Sequence, residues 1–300
     1  MKVQKIAVIV VHGLGLQKKE YAEKFMKKLD KAFSSVMQVP SARPYIEVEP
    51  VYWADVFGKE EERIYQELVL SKKLRYKHLR RYLIYYLADA VAYQPVDTNG
   101  HNYDAVHQTI SNALHSLSQR VGKNAPLCVV SHSLGSVIAS NFFYDLQYTS
   151  RHFPGVIDTT SPLERGDTLT HFYSLGTTLP LWSLRYRDFS KPIVVPSKEG
   201  KAIFPGLQGE WVNFFDKDDI MGYPLRNIDP AYEKAVKQDI DLNVGNPLTF
   251  WNPFCHNGYM KNRKVVRHIA EKLAETYTFV NRDKDSLNTG SSSTKGRKKK

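Results

Sequence analysis

Short apolar runs alternate with helical patterns along most of the chain, and this alternation restricts the possible folds more than any other feature. Ile6–Val11 and Leu127–Val130 are continuous apolar runs, as expected of strands buried on both faces of a sheet. Residues 103–121 instead repeat apolar side chains every three or four positions, the spacing of one helical face. Further strands are predicted at 46–53, 169–175 and 211–215, and further helices at 21–33, 136–148 and 265–277. Strands separated by helices predict an α/β fold with a mainly parallel sheet and helices on both faces.

The length of 300 residues fits one large domain, which we place at residues 1–282. Two segments depart from the alternation. Residues 57–93 are helical in pattern, basic and rich in tyrosine, which indicates a helical insertion after the second strand. Residues 283–300 contain mostly Ser, Asn, Gly and Lys, a composition that predicts a disordered basic tail.

The formal net charge of +11 comes from 42 basic and 31 acidic residues, but five of the basic residues lie within residues 295–300. Without them, 37 basic residues face 31 acidic ones, which leaves +6. A balance of that size does not predict a nucleic-acid groove, although it is compatible with weak contact with an anionic membrane.

The cysteine content and the absence of long apolar stretches indicate the compartment. Cys128 and Cys255 are too few for a secreted disulfide framework and suit a reducing environment. The apolar run at residues 6–11 is too short for the core of a signal peptide, and no stretch approaches the roughly 20 apolar residues of a membrane span. The sequence therefore predicts a cytoplasmic protein.

The segment Ser131-His132-Ser133-Leu134-Gly135 lies between a predicted strand and a predicted helix. A serine in that setting is typical of a nucleophile elbow, a strained turn that presents the hydroxyl at the edge of the sheet. The positions two before and two after the serine must be small, and Ser131 and Gly135 meet that demand. The simpler interpretation is an ordinary strand-to-helix turn, but the flanking elements favour Ser133 as a nucleophile.

A second loop, His12-Gly13-Leu14-Gly15, directly follows the first strand. In enzymes with a nucleophile elbow, such a loop supplies one backbone N–H to the oxyanion hole, and the residue after the nucleophile supplies the other. We therefore expect the backbone N–H groups of Leu14 and Leu134 to form the hole, with His12, Gly13 and Gly135 as supporting residues. The alternative, a phosphate-binding loop, lacks both the third glycine of a dinucleotide fingerprint and a Walker lysine.

A nucleophilic serine needs a histidine base, and that histidine needs a carboxylate. In the fold that carries the nucleophile elbow, the three follow the chain order serine, acid, histidine. His256 lies in a loop immediately before the last predicted helix, where the base is expected. The remaining histidines after the elbow, His152, His171 and His268, fall close behind it or within predicted elements. The acid should follow the predicted strand 211–215, where Asp216, Asp218 and Asp219 are the candidates.

These motifs together resemble the lipase and esterase branch of the α/β-hydrolases over roughly residues 3–277. The motifs that carry the resemblance are Val11-His12-Gly13, the elbow with Gly135, Ser174-Leu175-Gly176-Thr177-Thr178-Leu179, the Asp219 turn and His256-Asn257-Gly258-Tyr259. Ser131 departs from the family pattern, which usually has glycine there. Since the run from Asp219 towards Pro224-Leu225 is similar to the acid turn of many lipases, the resemblance favours Asp219, with Asp216 as the alternative acid.

The resemblance implies a serine hydrolase that cleaves a carboxylic ester of a small molecule or lipid through an acyl-enzyme, without a metal or an organic cofactor. The same residues would also suit a hydrolase or acyltransferase that acts on amide or thioester bonds. A catalytically dead binding protein is the remaining alternative, although such a protein has no reason to keep serine, acid and histidine in order.

Three interpretations of the insertion at residues 57–93 follow from its composition. It could cap the active site, with Tyr85 and Tyr86 lining an apolar acyl pocket. It could also lie on an anionic lipid surface, since basic residues adjoin apolar and aromatic ones. In the third interpretation it is a helical pair packed on the core with solvated lysines.

Overall fold

The computed structural model describes residues 3–14, 17–93, 102–149, 155–184, 189–245 and 253–289. Within these residues, six strands form one sheet in the order β2-β1-β3-β4-β5-β6, and every neighbouring pair is parallel. The strands are β1 (Ile6–Val11), β2 (Ile46–Val51), β3 (Leu127–His132), β4 (Leu169–Leu175), β5 (Glu210–Phe215) and β6 (Gln238–Asp241). The predicted parallel sheet is confirmed.

Helices connect the strands, as parallel crossovers require. The α-helices are α1 (Glu23–Met37), α2 (Asp55–Ile64), α3 (Lys77–Ala92), α4 (Asn102–Val121), α5 (Leu134–Tyr148), α6 (Leu179–Ser183), α7 (Lys198–Ile203), α8 (Pro230–Ala235) and α9 (Arg263–Thr289). The helix α2 continues as a π-helical segment, Tyr65–Leu70, and a 3₁₀ helix, Pro253–Lys261, precedes α9. In the described part of the chain, no helix is long and apolar enough to cross a membrane.

Strand β1 is buried over its whole length because both faces of the sheet are covered. Ile6, Val8 and Val10 belong to a core with α1 and α9, whereas the alternate residues of β1 belong to a second core with α4 and α5. Side chains of a strand point to opposite faces in turn, so one short run contributes to two apolar layers. The continuous apolar pattern that predicted this strand is the direct result.

The sheet order places a crevice at one end of the central strands. Strand β1 pairs with β2 on one side and with β3 on the other, so successive connections leave β1 in opposite directions. In open parallel sheets, sites form outside the carboxyl ends of the strands where this reversal occurs. Here the residues at that point are His12 and Gly13 after β1 and Ser133 after β3.

Two differences from the predicted elements have clear physical reasons. Strand β6 was not expected, because Gln238–Asp241 lacks an apolar run; it is an edge strand with only half-buried or exposed residues. The helix α9 continues through 283–289, within the segment predicted to be disordered. Polar residues can extend an existing helix, because propagation costs far less than nucleation. The remainder of the predicted tail, 290–300, lies outside the described residues.

The insertion is an antiparallel helical hairpin of α2 with its π-helical continuation and α3. The Tyr85 hydroxyl donates to Glu62 Oε2 at 2.5 Å, and Arg81 Nη2 lies 3.4 Å from the same carboxylate. Tyr85 is therefore buried between the two arms of the hairpin, a position that favours packing over lining of an acyl pocket. The side chain of Tyr86 lies outside the described residues.

At the amino end of β5, the buried carboxylate of Glu210 binds three side chains. It accepts from the Tyr173 hydroxyl at 3.0 Å, from His268 Nε2 at 2.7 Å and from Lys237 Nζ at 2.7 Å. Burial raises the pKa of Glu210, but the hydrogen bonds and charges of His268 and Lys237 outweigh burial and lower the pKa to about 2. Glu210 thus fastens α9 and the start of β6 to the sheet.

We expect Glu210→Gln to lower the free energy of unfolding by about 2 kcal/mol at neutral pH, since it removes a charged acceptor from three donors. The pKa of Glu210 is about 2 in the folded chain against 4.5 ordinarily, so this stabilisation is complete above pH 4.5 and is lost as the pH falls towards 2. Urea unfolding at several pH values measures the effect. The exposed Glu275→Gln is the control, and equal unfolding of the two variants at pH 7 would contradict the prediction.

Candidate active site

Ser133 has a strained backbone at the junction of β3 and α5. Its φ of 54° and ψ of −128° lie in a region that residues other than glycine rarely adopt. The side chain is buried, and its Oγ makes no hydrogen bond with the described residues. Strain of this kind persists only where the surroundings impose it, and it clusters at functional sites.

Two glycines make that conformation possible, because the elbow and the loop after β1 approach each other closely. A Cβ on Gly13 would lie 2.6 Å from the Cβ of Ser133. A Cβ on Gly135 would lie 2.2 Å from the carbonyl oxygen of His12. Neither position has room for a methyl group, so the two loops can meet only through glycine.

Ser131 occupies the position where the resembled family usually has glycine, and the structure accommodates its side chain. Ser131 is buried, and its Oγ donates to the carbonyl of Tyr173 on β4 at 3.1 Å. Its carbonyl accepts from Ser136 Oγ at 3.1 Å. The hydroxyl therefore adds a link between β3 and β4 instead of obstructing the turn.

Asp219 and His256, two of the predicted site residues, are joined by a hydrogen bond. His256 Nδ1 lies 2.8 Å from Asp219 Oδ2, and the Tyr259 hydroxyl donates to the same oxygen at 2.8 Å. The other oxygen, Oδ1, accepts the N–H of Met221 at 2.9 Å. Burial raises the pKa of Asp219, but these donors and the charge of His256 outweigh burial and hold the pKa below its usual value. A buried carboxylate with three donors stays ionised.

The other two acidic candidates of this turn do not contact His256 in the structure. Asp216 is buried and accepts the N–H groups of Asp218 at 3.0 Å and of Val244 at 2.7 Å. It therefore closes the turn after β5 and fastens the segment after β6. The side chain of Asp218 is exposed. The geometry favours Asp219 over the alternative acid Asp216.

His256 is held at two points. Its Nδ1 faces Asp219, and its backbone carbonyl accepts from His132 Nε2 at 2.8 Å. Burial, together with the charge of His256, lowers the pKa of His132 to about 3, so His132 stays neutral. With Nδ1 donating to Asp219, the imidazole Nε2 is the nitrogen left to accept a proton. No hydrogen bond joins it to Ser133 Oγ here, although such bonds often form only when substrate is bound.

The two loops expected to form the oxyanion hole lie side by side. Leu134 is the first residue of α5, so its N–H has no acceptor within the helix. Leu14 follows Gly13 and is partly buried against the core, while Gly15 lies outside the described residues. His12 Nε2 accepts the N–H of Trp53 at 3.2 Å, which leaves Nδ1 to donate to the Gly13 carbonyl at 2.8 Å. Burial outweighs this last hydrogen bond and lowers the pKa of His12 to about 4, so His12 supports the loop as a neutral ring.

Sequence reasoning missed the roles of His132, Tyr259 and the glycines around the acid. A Cβ on Gly222 would lie 2.5 Å from Asp219 Oδ2, and one on Gly176 would lie 2.5 Å from the Tyr259 ring. The signal was present in the segments around Gly176 and His256 that carried the family resemblance. A pattern in one segment, however, does not reveal which distant segment requires its glycine.

Open space adjoins the loop after β1. A cleft of about 610 Å³ lies beside the site, and its lining includes His12, Gly13, His132 and Asn257. Throughout the described ranges, no three His, Cys, Asp or Glu side chains gather as a metal site would require.

The order of these residues along the chain can be compared with that of known folds. Ser133 follows the central strand β3, Asp219 follows β5, and His256 precedes the last helix. This order, together with the strained turn at Ser133, resembles that of the α/β-hydrolase fold.

Comparisons with known proteins find solved structures whose backbones are similar to this one in part. No protein-family model matches the chain, and no curated protein matches it either. A cutinase-like protein from Cryptococcus sp. shows 9% identity and a TM-score of 0.41, covering 93% of this chain and 97% of that one. An esterase from Pyrobaculum calidifontis shows 11% identity and a TM-score of 0.43, covering 92% of this chain and 78% of that one. A fungal esterase from Rhizomucor miehei shows 10% identity and a TM-score of 0.43, covering 93% of this chain and 77% of that one.

We expect Gly135→Ala to lower the free energy of unfolding by about 3 kcal/mol or more, because the new methyl would overlap a backbone oxygen that cannot move independently. The variant should also lose reaction with a fluorophosphonate probe, since the elbow must distort. Thermal melting and probe labelling measure the two effects. Gly58→Ala in α2 is the matched control, because a Cβ there meets nothing within 4 Å. An unchanged melting temperature and unchanged labelling in Gly135→Ala would contradict the close approach.

Proposed function

We propose that this chain is a serine hydrolase that cleaves carboxylic esters, with Ser133 as nucleophile, His256 as base and Asp219 as the orienting acid. The observation that carries the proposal is the 2.8 Å hydrogen bond between His256 and the buried carboxylate of Asp219, with His256 bonded through its carbonyl to His132, the residue before the strained serine. Residues from three separate loops converge on this arrangement. A structural role alone gives no reason to hold a serine in that conformation.

In the first step, His256 Nε2 removes the proton of Ser133 Oγ while the oxygen attacks the ester carbonyl. The Asp219 carboxylate accepts the N–H at Nδ1, so it keeps the histidine in the required tautomer and stabilises the imidazolium that forms. The three donors on Asp219 keep it ionised without solvent. The histidine then passes its proton to the leaving alcohol as the carbon–oxygen bond breaks.

The negative charge that develops on the carbonyl oxygen needs donors that are already in place. The N–H of Leu134 at the start of α5 is suited to this role, because the positive end of the helix dipole adds to the hydrogen bond. The N–H of Leu14 is the second donor. Water then attacks the acyl-enzyme with His256 again as base, which releases the acid and restores Ser133. No step requires a metal or an organic cofactor.

We expect Ser133→Ala to abolish both fluorophosphonate labelling and turnover of short p-nitrophenyl esters, because the hydroxyl oxygen is the attacking atom. Only the roughly 10³–10⁴-fold rate over water that binding and oxyanion contacts provide should remain. Ser136→Ala is the control, since Ser136 is equally buried one turn into α5. Turnover at the wild-type rate in a folded Ser133→Ala variant would overturn the proposal.

We expect Asp219→Asn to reduce kcat about 10⁴-fold with little change in KM, because an amide stabilises the wrong histidine tautomer. Asp216→Asn should instead lower the melting temperature and leave kcat of the folded protein within a few-fold of wild type. Asp218→Asn should change neither quantity, since its side chain is exposed. If Asp216→Asn were the variant that lost activity while stable, the acid would be misassigned and the serine and histidine would stand.

A further inference from the structure

The far end of the helical hairpin, residues 68–80, is a concentrated basic surface that we call the hairpin tip. Lys72, Lys73, Arg75, Lys77 and Arg80 are all exposed, and no Asp or Glu occurs anywhere from 68 to 88. Within the described part of the chain, none of these five cations forms an ion pair, whereas Arg63 and Arg81 of the same hairpin are paired with glutamates. The tip therefore carries positive charge that the described residues do not neutralise.

Two large apolar side chains are exposed among these cations. Tyr76 is 76% exposed in the turn before α3, and Leu68 is 56% exposed in the π-helical segment before the turn. Burial of either side chain in an apolar environment would be favourable, yet the fold leaves both in solvent. Aromatic and aliphatic side chains flanked by Lys and Arg are the composition of segments that lie in a lipid interface.

The base of the hairpin is fixed to the core, so the tip is its distal end. At the first arm, the Trp53 and Phe57 rings pack at 5.9 Å. At the second arm, the Tyr93 hydroxyl lies 2.7 Å from His107 Nε2 on α4. Residues 55–70 are helical throughout, which places the turn roughly 20 Å from the base at about 1.5 Å per residue.

We propose that the hairpin tip docks on an anionic membrane surface, with Tyr76 and Leu68 entering the interface and the cations on lipid phosphates. Charge complementarity identifies the partner as anionic, and the two exposed apolar side chains favour lipid. A nucleic acid would use the cations and could stack on the tyrosine, but it offers no apolar layer for the leucine.

Docking at the tip bears on the substrate because the hairpin base is bonded to the proposed oxyanion loop. The Trp53 ring stacks on His12 with centroids 4.6 Å apart, and Trp53 Nε1 donates to the His12 carbonyl at 3.0 Å. Membrane docking would thus keep the crevice within about the length of the hairpin, roughly 20 Å, of the lipid surface. This step, which depends on the proposed function, assigns lipid esters as the substrate class.

The test uses full-length protein in which the basic residues of 295–300 are glutamine, so that the tail contributes nothing. Sedimentation is measured with vesicles of phosphatidylcholine alone and of phosphatidylcholine with phosphatidylserine. Binding is expected only with the anionic lipid and should weaken at high salt. The variant K72Q/K73Q/R75Q/K77Q should lower the partition coefficient roughly 1,000-fold. The control K198Q/K201Q/K234Q/K264Q, with the same change in charge, should bind like the parent.

The apolar contribution is tested separately with Tyr76→Ser and Leu68→Ser. Each should weaken vesicle binding about tenfold at low and high salt alike. Ile157→Ser is the control, because Ile157 is also half exposed but lies between α5 and β4, outside the hairpin. If the serine variants bind like the parent, or if duplex DNA binds as tightly as anionic vesicles, the membrane assignment is overturned.

Measurements of ester hydrolysis distinguish failure of the docking proposal from failure of the proposed function. The tip variants should turn over a soluble short ester at the parent rate but lose turnover of an ester embedded in anionic vesicles. Ser133→Ala should bind vesicles normally and cleave neither ester. Vesicle binding without any hydrolysis by the parent would refute the proposed function alone, whereas hydrolysis without vesicle binding would refute the docking alone.

Discussion

The contact between the loop after β1 and the elbow after β3 is the constraint on which the rest of the site depends. The Cα of Gly135 lies against the His12 carbonyl, and the Cα of Gly13 lies against Ser133. Two backbones this close leave no room for a side chain at either glycine, so the two loops lie directly beside each other. A preorganised oxyanion hole needs that arrangement, because donors that are already in place avoid reorganisation during the reaction. The strain at Ser133 is therefore a consequence of the packing between two loops and does not arise from the turn alone.

The sheet supplies the rigidity that maintains this contact. Strands β1 and β3 are adjacent, parallel and fully buried, so their carboxyl ends cannot separate without exposing both apolar layers. Trp53 holds the other side of the loop through its stacking on His12 and its two hydrogen bonds. The cost of the strained serine, of the order of 1–3 kcal/mol, is small against the burial of two six-residue strands.

The fold could be predicted from the sequence because its signals are local. The apolar runs of β1, β3 and β4 are each sufficient to indicate a buried strand, and the predicted bounds of β1 and β4 agree with the structure. Ser133, Asp219 and His256 could be proposed because each follows or precedes such an element. The role of His132 could not, since its hydrogen bond spans 124 residues and has no counterpart in local pattern. Strand β6 was missed for a related reason: an edge strand is defined by its neighbour, and Gln238–Asp241 has no apolar periodicity of its own.

The position of His256 illustrates how a loop residue can be held as firmly as one in a strand. His132 on the elbow binds the backbone carbonyl of His256, and Asp219 binds its ring. The first contact links His256 directly to the residue before Ser133. Beside the second contact, Tyr259, three residues further along the same helix, donates to the same Asp219 oxygen. A displacement of the turn that carries Asp219 would therefore break its hydrogen bonds to both His256 Nδ1 and the Tyr259 hydroxyl. In the proposed mechanism, these contacts would keep a histidine outside the sheet in the orientation that proton transfer requires.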